Sequence, residues 1–213
     1  MEHLNIALPI RREPLVLPWP FPGNPGGFIQ FEHGDQWRAF IHSLDVDPRV
    51  PEIVRLKYAR AQKLYLLGWI DSDLIKAGEL VALTALELAA KDCYGWRLRE
   101  LMERKRARKP AKTRELDKPI EIKFADLLDY MVVGDGLSDR QVPMVSRCGG
   151  SVVGQLTGAT KPTLAQRRNA MAHGDPFDGL PIGGLLELVR DLIAFAYRRV
   201  IAGVNEDDVV ART

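Results

Sequence analysis

The sequence predicts an all-α fold: a helical bundle preceded by a proline- and aromatic-rich, partly extended N-terminal arm. Three observations carry this. From Pro51 onward, apolar residues recur at three- and four-residue steps in successive stretches. Gly68, Gly95, Gly134 and Gly174 fall where those stretches end, as helix stops do. Before residue 50 the pattern is broken by Pro9, Pro14, Pro18, Pro20, Pro22 and Pro25, which forbid long helices. The chain divides accordingly into an arm (1–50), a helical domain (51–204) and a polar tail (205–213).

The arm carries Trp19, Phe21, Phe28, Phe31, Trp37 and Phe40, too many aromatics for a plain solvated tail. FIQFEHGDQWRAFI alternates on both sides of His33-Gly34-Asp35, which suggests a short hairpin. The arm is expected to dock its rings on the helical body or on a partner subunit.

PEIVRLKYARAQKLYLLG sets Ile53, Leu56, Ala59, Leu64 and Leu67 on one helical stripe closed by Gly68. DSDLIKAGELVALTALELAAKDCYG predicts a longer helix that opens near Asp71 or Ser72 and ends before Gly95. Between Glu79 and Ala90 it is apolar nearly all round, which marks it as the central element. Glu79 falls in its densest arc beside Leu83, Leu86 and Ala90. A carboxylate there either escapes to solvent or needs a cation, and Arg168 is the expected partner. Glu87 and Lys91, four apart, read as an ordinary face pair.

Residues 97–118 hold ten basic and four acidic side chains, a local charge of +6 in a chain whose total is +2, which leaves −4 elsewhere. Leu98, Leu101 and Met102 let the first part continue as helix, and Lys109-Pro110 breaks it into a loop. Such a run is a solvated face or a phosphate-binding surface, with Arg104, Lys105 and Arg106 as candidate substrate contacts. Trp96 beside it reads as a buried ring, base stacking being the other use. KFADLLDYMVVGDGL predicts a helix with Phe124, Leu127, Leu128, Met131 and Val132 inside and Gly134 as its stop. SRCGGSVVGQLTGATKPT is rich in small residues and reads as a flexible approach to the next helix. It is not a phosphate loop, because two residues separate Gly158 from Lys161.

Thr163 followed by Gln166 is a capping-box signature that starts a helix at Leu164. Gly174 and Pro176 end it at His173. On this helix Leu164, Ala165, Met171 and Ala172 form an apolar arc, and Gln166, Asn169 and His173 share the opposite side. Asn169 and His173 are four apart and can hydrogen-bond. Arg168 lies within the apolar arc and needs a carboxylate, a phosphate or a path to water. A final amphipathic helix, GLLELVRDLIAFAYRRVI, turns Leu185, Leu188, Leu192 and Phe195 inward and precedes the tail NEDDVVART.

The arrangement Arg168-Asn169-x-x-x-His173, on the penultimate helix of a helical chain, resembles the R-N-x-x-x-H signature of the HEPN superfamily. That superfamily comprises compact helical domains, many of them metal-independent endoribonucleases. The long helix GELVALTALELAAKD is similar to the first long helix of these domains, so the likeness covers residues 51–202. It implies a HEPN-like bundle and a homodimer in which two motifs face each other across one cleft. By the same resemblance, His173 is the acid and base, Arg168 binds the scissile phosphate, and Asn169 orients His173. Glu79 then supports Arg168, and Arg167 is a lesser contact for the substrate backbone.

The rest of the composition excludes other chemistry. His3, His33 and His42 lie in the arm and no spacing suits a metal, so neither metal nor cofactor is expected. Cys93 and Cys148 form no disulfide framework, and no apolar run is long enough to span a membrane. The expected setting is a reducing cytoplasm. The function this implies is RNA cleavage, of the toxin or antiviral-defence kind, with an antitoxin or regulatory partner. The alternative is a non-catalytic module that binds a nucleotide or a partner. The enzyme requires Arg168 and His173 to line an open, electropositive cleft; the module predicts His173 closed off, or Arg168 consumed by Glu79. A helical DNA-binding regulator is weaker, since no basic recognition helix stands out.

Overall fold

The computed structural model describes residues 2–108, 119–174 and 180–203. It is mostly helical, with one small antiparallel sheet. Two strands, β1 (Leu15–Pro18) and β2 (Phe28–Phe31), precede nine helices among the described residues. These are α1 (Gly34–Ser43), α2 (Glu52–Leu67), α3 (Asp73–Ala107), α4 (Phe124–Val133), α5 (Pro143–Cys148), α6 (Val153–Thr157), α7 (Leu164–Ala172), α8 (Leu185–Ala196) and α9 (Arg198–Ile201). Short 3₁₀ turns occupy Glu2–Leu4 and Asp139–Gln141.

The N-terminal hairpin lies earlier than the alternation suggests. Leu15 pairs with Phe31 and Pro18 with Phe28. His33-Gly34-Asp35, read as a turn, instead begins α1, because Gln36 Oε1 accepts from the backbone N–H of both Glu32 (3.0 Å) and His33 (3.1 Å). Residues 4–50 share the core of the helices that follow. Trp37 and Ile41 are fully buried, and Phe31 sits 5.0 Å from Trp37 and 5.2 Å from Phe40, centroid to centroid. Trp37 donates to the Tyr65 carbonyl at 3.0 Å and Trp69 to the Pro9 carbonyl at 2.7 Å, so the polar edges of the buried indoles are satisfied.

The most extensive helix pair is α2 against α3. The buried stripe of α2 is Val54, Tyr58, Ala61, Gln62, Tyr65 and Leu66. It differs from the expected one: Ile53 and Leu56 point to solvent, 67% and 56% exposed. Tyr58 and Tyr65, both fully buried and the bulkiest side chains of that stripe, set the rotation. The Tyr58 hydroxyl donates to the carbonyls of Leu44 (2.9 Å) and Leu186 (3.0 Å).

Helix α3 does not end before Gly95. It runs 35 residues, about 52 Å at 1.5 Å per residue. A glycine inside a helix costs only about 1 kcal/mol, and buried Tyr94 and Leu98 anchor the chain on either side. Its buried middle is covered by α2, α4 and α8, and α7 lies against it as well. The final helix is not continuous: α8 stops at Ala196 and α9 follows after Tyr197. The break accompanies a clasp in which both terminal nitrogens of Arg198 meet the Asp135 carboxylate at 2.6 Å. The Tyr94 hydroxyl donates to Asp135 at 2.8 Å and that of Tyr197 to Asp92 at 2.6 Å.

The small-residue stretch before α7, read as a flexible approach, instead holds the end of α5 and the whole of α6, punctuated by Gly149, Gly150 and Gly158 with positive φ. The loop expected from Lys109, the stop expected from Pro176 and the tail NEDDVVART lie outside the described residues.

Candidate active site on helices α3 and α7

Helix α7 begins as its sequence dictates. Thr163 Oγ1 accepts from the Gln166 N–H and Gln166 Oε1 from the Thr163 N–H, both at 3.0 Å, a reciprocal cap worth about 1 kcal/mol. Leu164 and Ala165 are buried and seat the helix on α3, α4 and α6. Gln166, Asn169 and His173 are exposed on the other side. His173 is the C-cap, its N–H bonded to the Asn169 and Ala170 carbonyls at 3.0 and 3.2 Å, and Gly174 follows with φ of 70°. The imidazole makes no hydrogen bond to the described residues.

Arg168, on the side turned toward α3, is half-buried. Its carboxylate partner is Glu87, at 2.5 Å, and not Glu79. Along α3 these two glutamates are eight residues apart, about 12 Å, and α7 meets the later one. The other oxygen of Glu87 accepts from Lys91 at 2.7 Å, so a largely buried carboxylate holds one cation on each oxygen. Arg168 also donates to the Asn169 side-chain oxygen at 3.0 Å. The Asn169 amide is thus turned to Arg168, and its link to His173 runs through the backbone. Arg167 is half-buried, with Nε lacking a hydrogen-bond partner among the described residues.

Glu79 serves the scaffold. Fully buried, it faces Lys76 at 3.3 Å and accepts from the Ile182 N–H, which ties α3 to the segment before α8.

Lys91 links this cluster to a cleft of about 650 Å³ along α3, lined by Lys91, Trp96, Arg99, Glu100 and Glu103, with residues 120–122 opposite. Trp96 is 61% exposed, contrary to the expected buried ring, because Tyr94 and Leu98 take the inward positions around it. Arg97 sits 5.2 Å from its ring centroid. The charges of the cleft are mixed, with Glu100, Glu103 and Glu121 beside Lys91 and Arg99. Of the candidate basic contacts, Arg104 pairs with Glu100 at 2.6 Å, Lys105 is exposed and Arg106 is half-buried. They lie on the last turn of α3, away from Glu87 by more than four helical turns.

Among the described residues, no group of three or more His, Cys, Asp or Glu side chains could hold a metal ion, and no helix is long and apolar enough to cross a membrane. Comparison with family models, curated proteins and solved structures gives no match to this chain. The pairing of Arg168 with Glu87 and the exposure of Trp96 were missed by sequence reasoning. The helical phase of Trp96 between two inward residues was the signal that could have found the second.

Proposed function

We propose that the protein is a metal-independent endoribonuclease of the HEPN type, cleaving RNA through a composite R-N-x-x-x-H site built by two copies of the chain. The observation that supports this best is the disposition of the motif on α7. His173 is exposed and its ring is unengaged by the described residues. Arg168 is fastened at a fixed place five residues before it, with Asn169 between them.

In such a reaction a base removes the 2′-hydroxyl proton and that oxygen attacks phosphorus. An acid protonates the departing 5′-oxygen, and the products are a 2′,3′-cyclic phosphate and a 5′-hydroxyl. One imidazole cannot serve as base and acid at once. Two facing copies supply both, while Arg168 stabilises the charge that grows on the non-bridging oxygens. Lys91 and the open face of Trp96 would carry the strand away from the motif by ion pairing and stacking. An RNA-cleaving toxin or antiviral-defence effector, restrained by an antitoxin or other regulator, is the biological setting this chemistry suits.

The salt bridge of Arg168 favours a second reading. An arginine already neutralised by Glu87 is less available to a phosphate, as expected of a non-catalytic module that binds a nucleotide or partner. Cleavage of a mixed RNA pool in EDTA by wild type, His173→Ala and Arg168→Ala, each verified as a folded dimer, separates the two. The enzyme reading expects cyclic-phosphate ends from wild type and a fall of about a hundredfold or more in each variant. Equal cutting by all three, or none by wild type, overturns it.

A further inference from the structure

A second cavity, of about 490 Å³, lies between the N-terminal hairpin and the C-terminal helices. Its volume suits a small molecule. Trp19 and Phe21 follow β1, Phe28 is on β2 and Phe40 on α1, and together they supply flat apolar walls. Arg147 of α5 and Glu187 and Arg190 of α8 supply a charged end.

The two ends are fastened together. Trp19 packs edge-on against Phe40 at 4.9 Å, and its indole N–H donates to Glu187 Oε2 at 3.2 Å. Glu187 Oε1 accepts from Arg147 at 2.8 Å and from Arg190 at 3.2 Å. Arg190 is also held by Asp191 at 2.7 and 2.9 Å, and Asp191 accepts from the Met144 N–H at 2.7 Å. Two guanidinium groups therefore meet the two carboxylates of Glu187 and Asp191, so the charges at this end of the cavity balance. Arg147 keeps most of its five N–H donors after its bond to Glu187, and its side chain is 46% exposed. At the apolar end Phe28 and Phe21 remain 59% and 44% exposed, although their neighbours Trp19 and Phe31 are buried. Aromatic surface left open beside a guanidinium with unused donors is complementary to a ligand with both an apolar body and a carboxylate.

We propose that this cavity binds a small organic anion of the aromatic-carboxylate class, with its ring among Trp19, Phe21, Phe28 and Phe40 and its carboxylate on Arg147. The site is independent of the ribonuclease reading, since it uses none of the residues on α7.

Calorimetric titration with naphthaleneacetate, and with uncharged naphthalene-ethanol, tests it on the full chain, with Arg147→Gln and Phe28→Ser beside wild type. Both substitutions are at partly exposed positions, and near-UV circular dichroism verifies their folding. Wild type is expected to bind one naphthaleneacetate per chain and to prefer it to the alcohol by about tenfold, the worth of a charge-assisted bond. Arg147→Gln is expected to abolish that preference, and Phe28→Ser to weaken both ligands alike. No saturable binding to wild type overturns the proposal. So does equal affinity for the acid and the alcohol, or binding that neither substitution changes.

Discussion

Two glutamates on one helix have separate duties that follow from their neighbours. Glu79 is fully buried with Lys76 and the Ile182 N–H around it. Removing it strands a backbone donor and takes a counter-charge from a largely buried ammonium, which keeps its bond to the Leu180 carbonyl at 2.9 Å. Glu79→Ala is expected to lower the unfolding free energy by about 3 kcal/mol in urea titration. Glu87 is bound by cations that each reach solvent, so its charge matters less to the fold and more to where Arg168 sits. Glu87→Gln is expected to leave the urea midpoint nearly unchanged and to reduce RNA cleavage about tenfold by loosening Arg168. A cleavage rate equal to wild type would show that Arg168 needs no such hold.

At the scale of elements, α3 carries two glycines whose replacement by alanine should act in opposite directions. A Cβ on Gly78 would lie 2.7 Å from the Tyr65 ring, so Gly78 is what lets α2 approach α3. Gly95 has nothing within 4 Å of that position. Gly95→Ala is expected to stabilise by about 0.5–1 kcal/mol through helix propensity. Gly78→Ala is expected to destabilise by about 1–3 kcal/mol through overpacking, both read by thermal denaturation. Trp96, exposed on the same helix, should behave as surface for the fold and as a contact for substrate. Trp96→Ala is expected to shift stability by no more than about 0.5 kcal/mol. It should also weaken single-stranded RNA binding about tenfold in a fluorescence anisotropy titration.

Across the whole molecule, the clasp of Asp135 with Arg198 and Tyr94 joins the end of α4, the middle of α3 and the start of α9. Burial on its own would raise the Asp135 pKa, but the hydrogen bonds and charge of Arg198, with the Tyr94 hydroxyl, hold it below the usual 3.8. A carboxylate with a depressed folded pKa contributes stability that is complete above its unfolded value and is lost as the pH falls through the folded one. The thermal midpoint of wild type is therefore expected to drop below about pH 4, with a shallower drop in Asp135→Asn. Equal slopes for the two proteins would assign the acid sensitivity to other carboxylates.

The local order of this chain was readable from its residues. The Thr163–Gln166 cap, the boundaries of α2 and α4, the Glu87–Lys91 pair and the polar face of α7 depend on neighbours three or four positions away, and sequence spacing reports those directly. The inward arc of α7 is shorter than its spacing suggests, since Ala172 is exposed. Contacts between distant elements were not readable in the same way. Whether Arg168 meets Glu79 or Glu87 depends on where α7 crosses a helix about 52 Å long, and both glutamates offer the same charge. Which stripe of α2 is buried depends on two fully buried tyrosines, of which Tyr58 reaches the carbonyls of Leu44 and Leu186 far along the chain. The hairpin moved because Gln36 caps a helix where alternation alone suggested a turn. By itself the sequence determined that the chain is largely helical beyond residue 50 and where α2, α3, α4, α7 and α8 start, because those outcomes rest on short-range periodicity and capping. Only the tertiary structure decided the partner of Arg168, the exposure of Trp96 and the cavity between hairpin and α8, because each requires side chains brought together from positions remote in sequence.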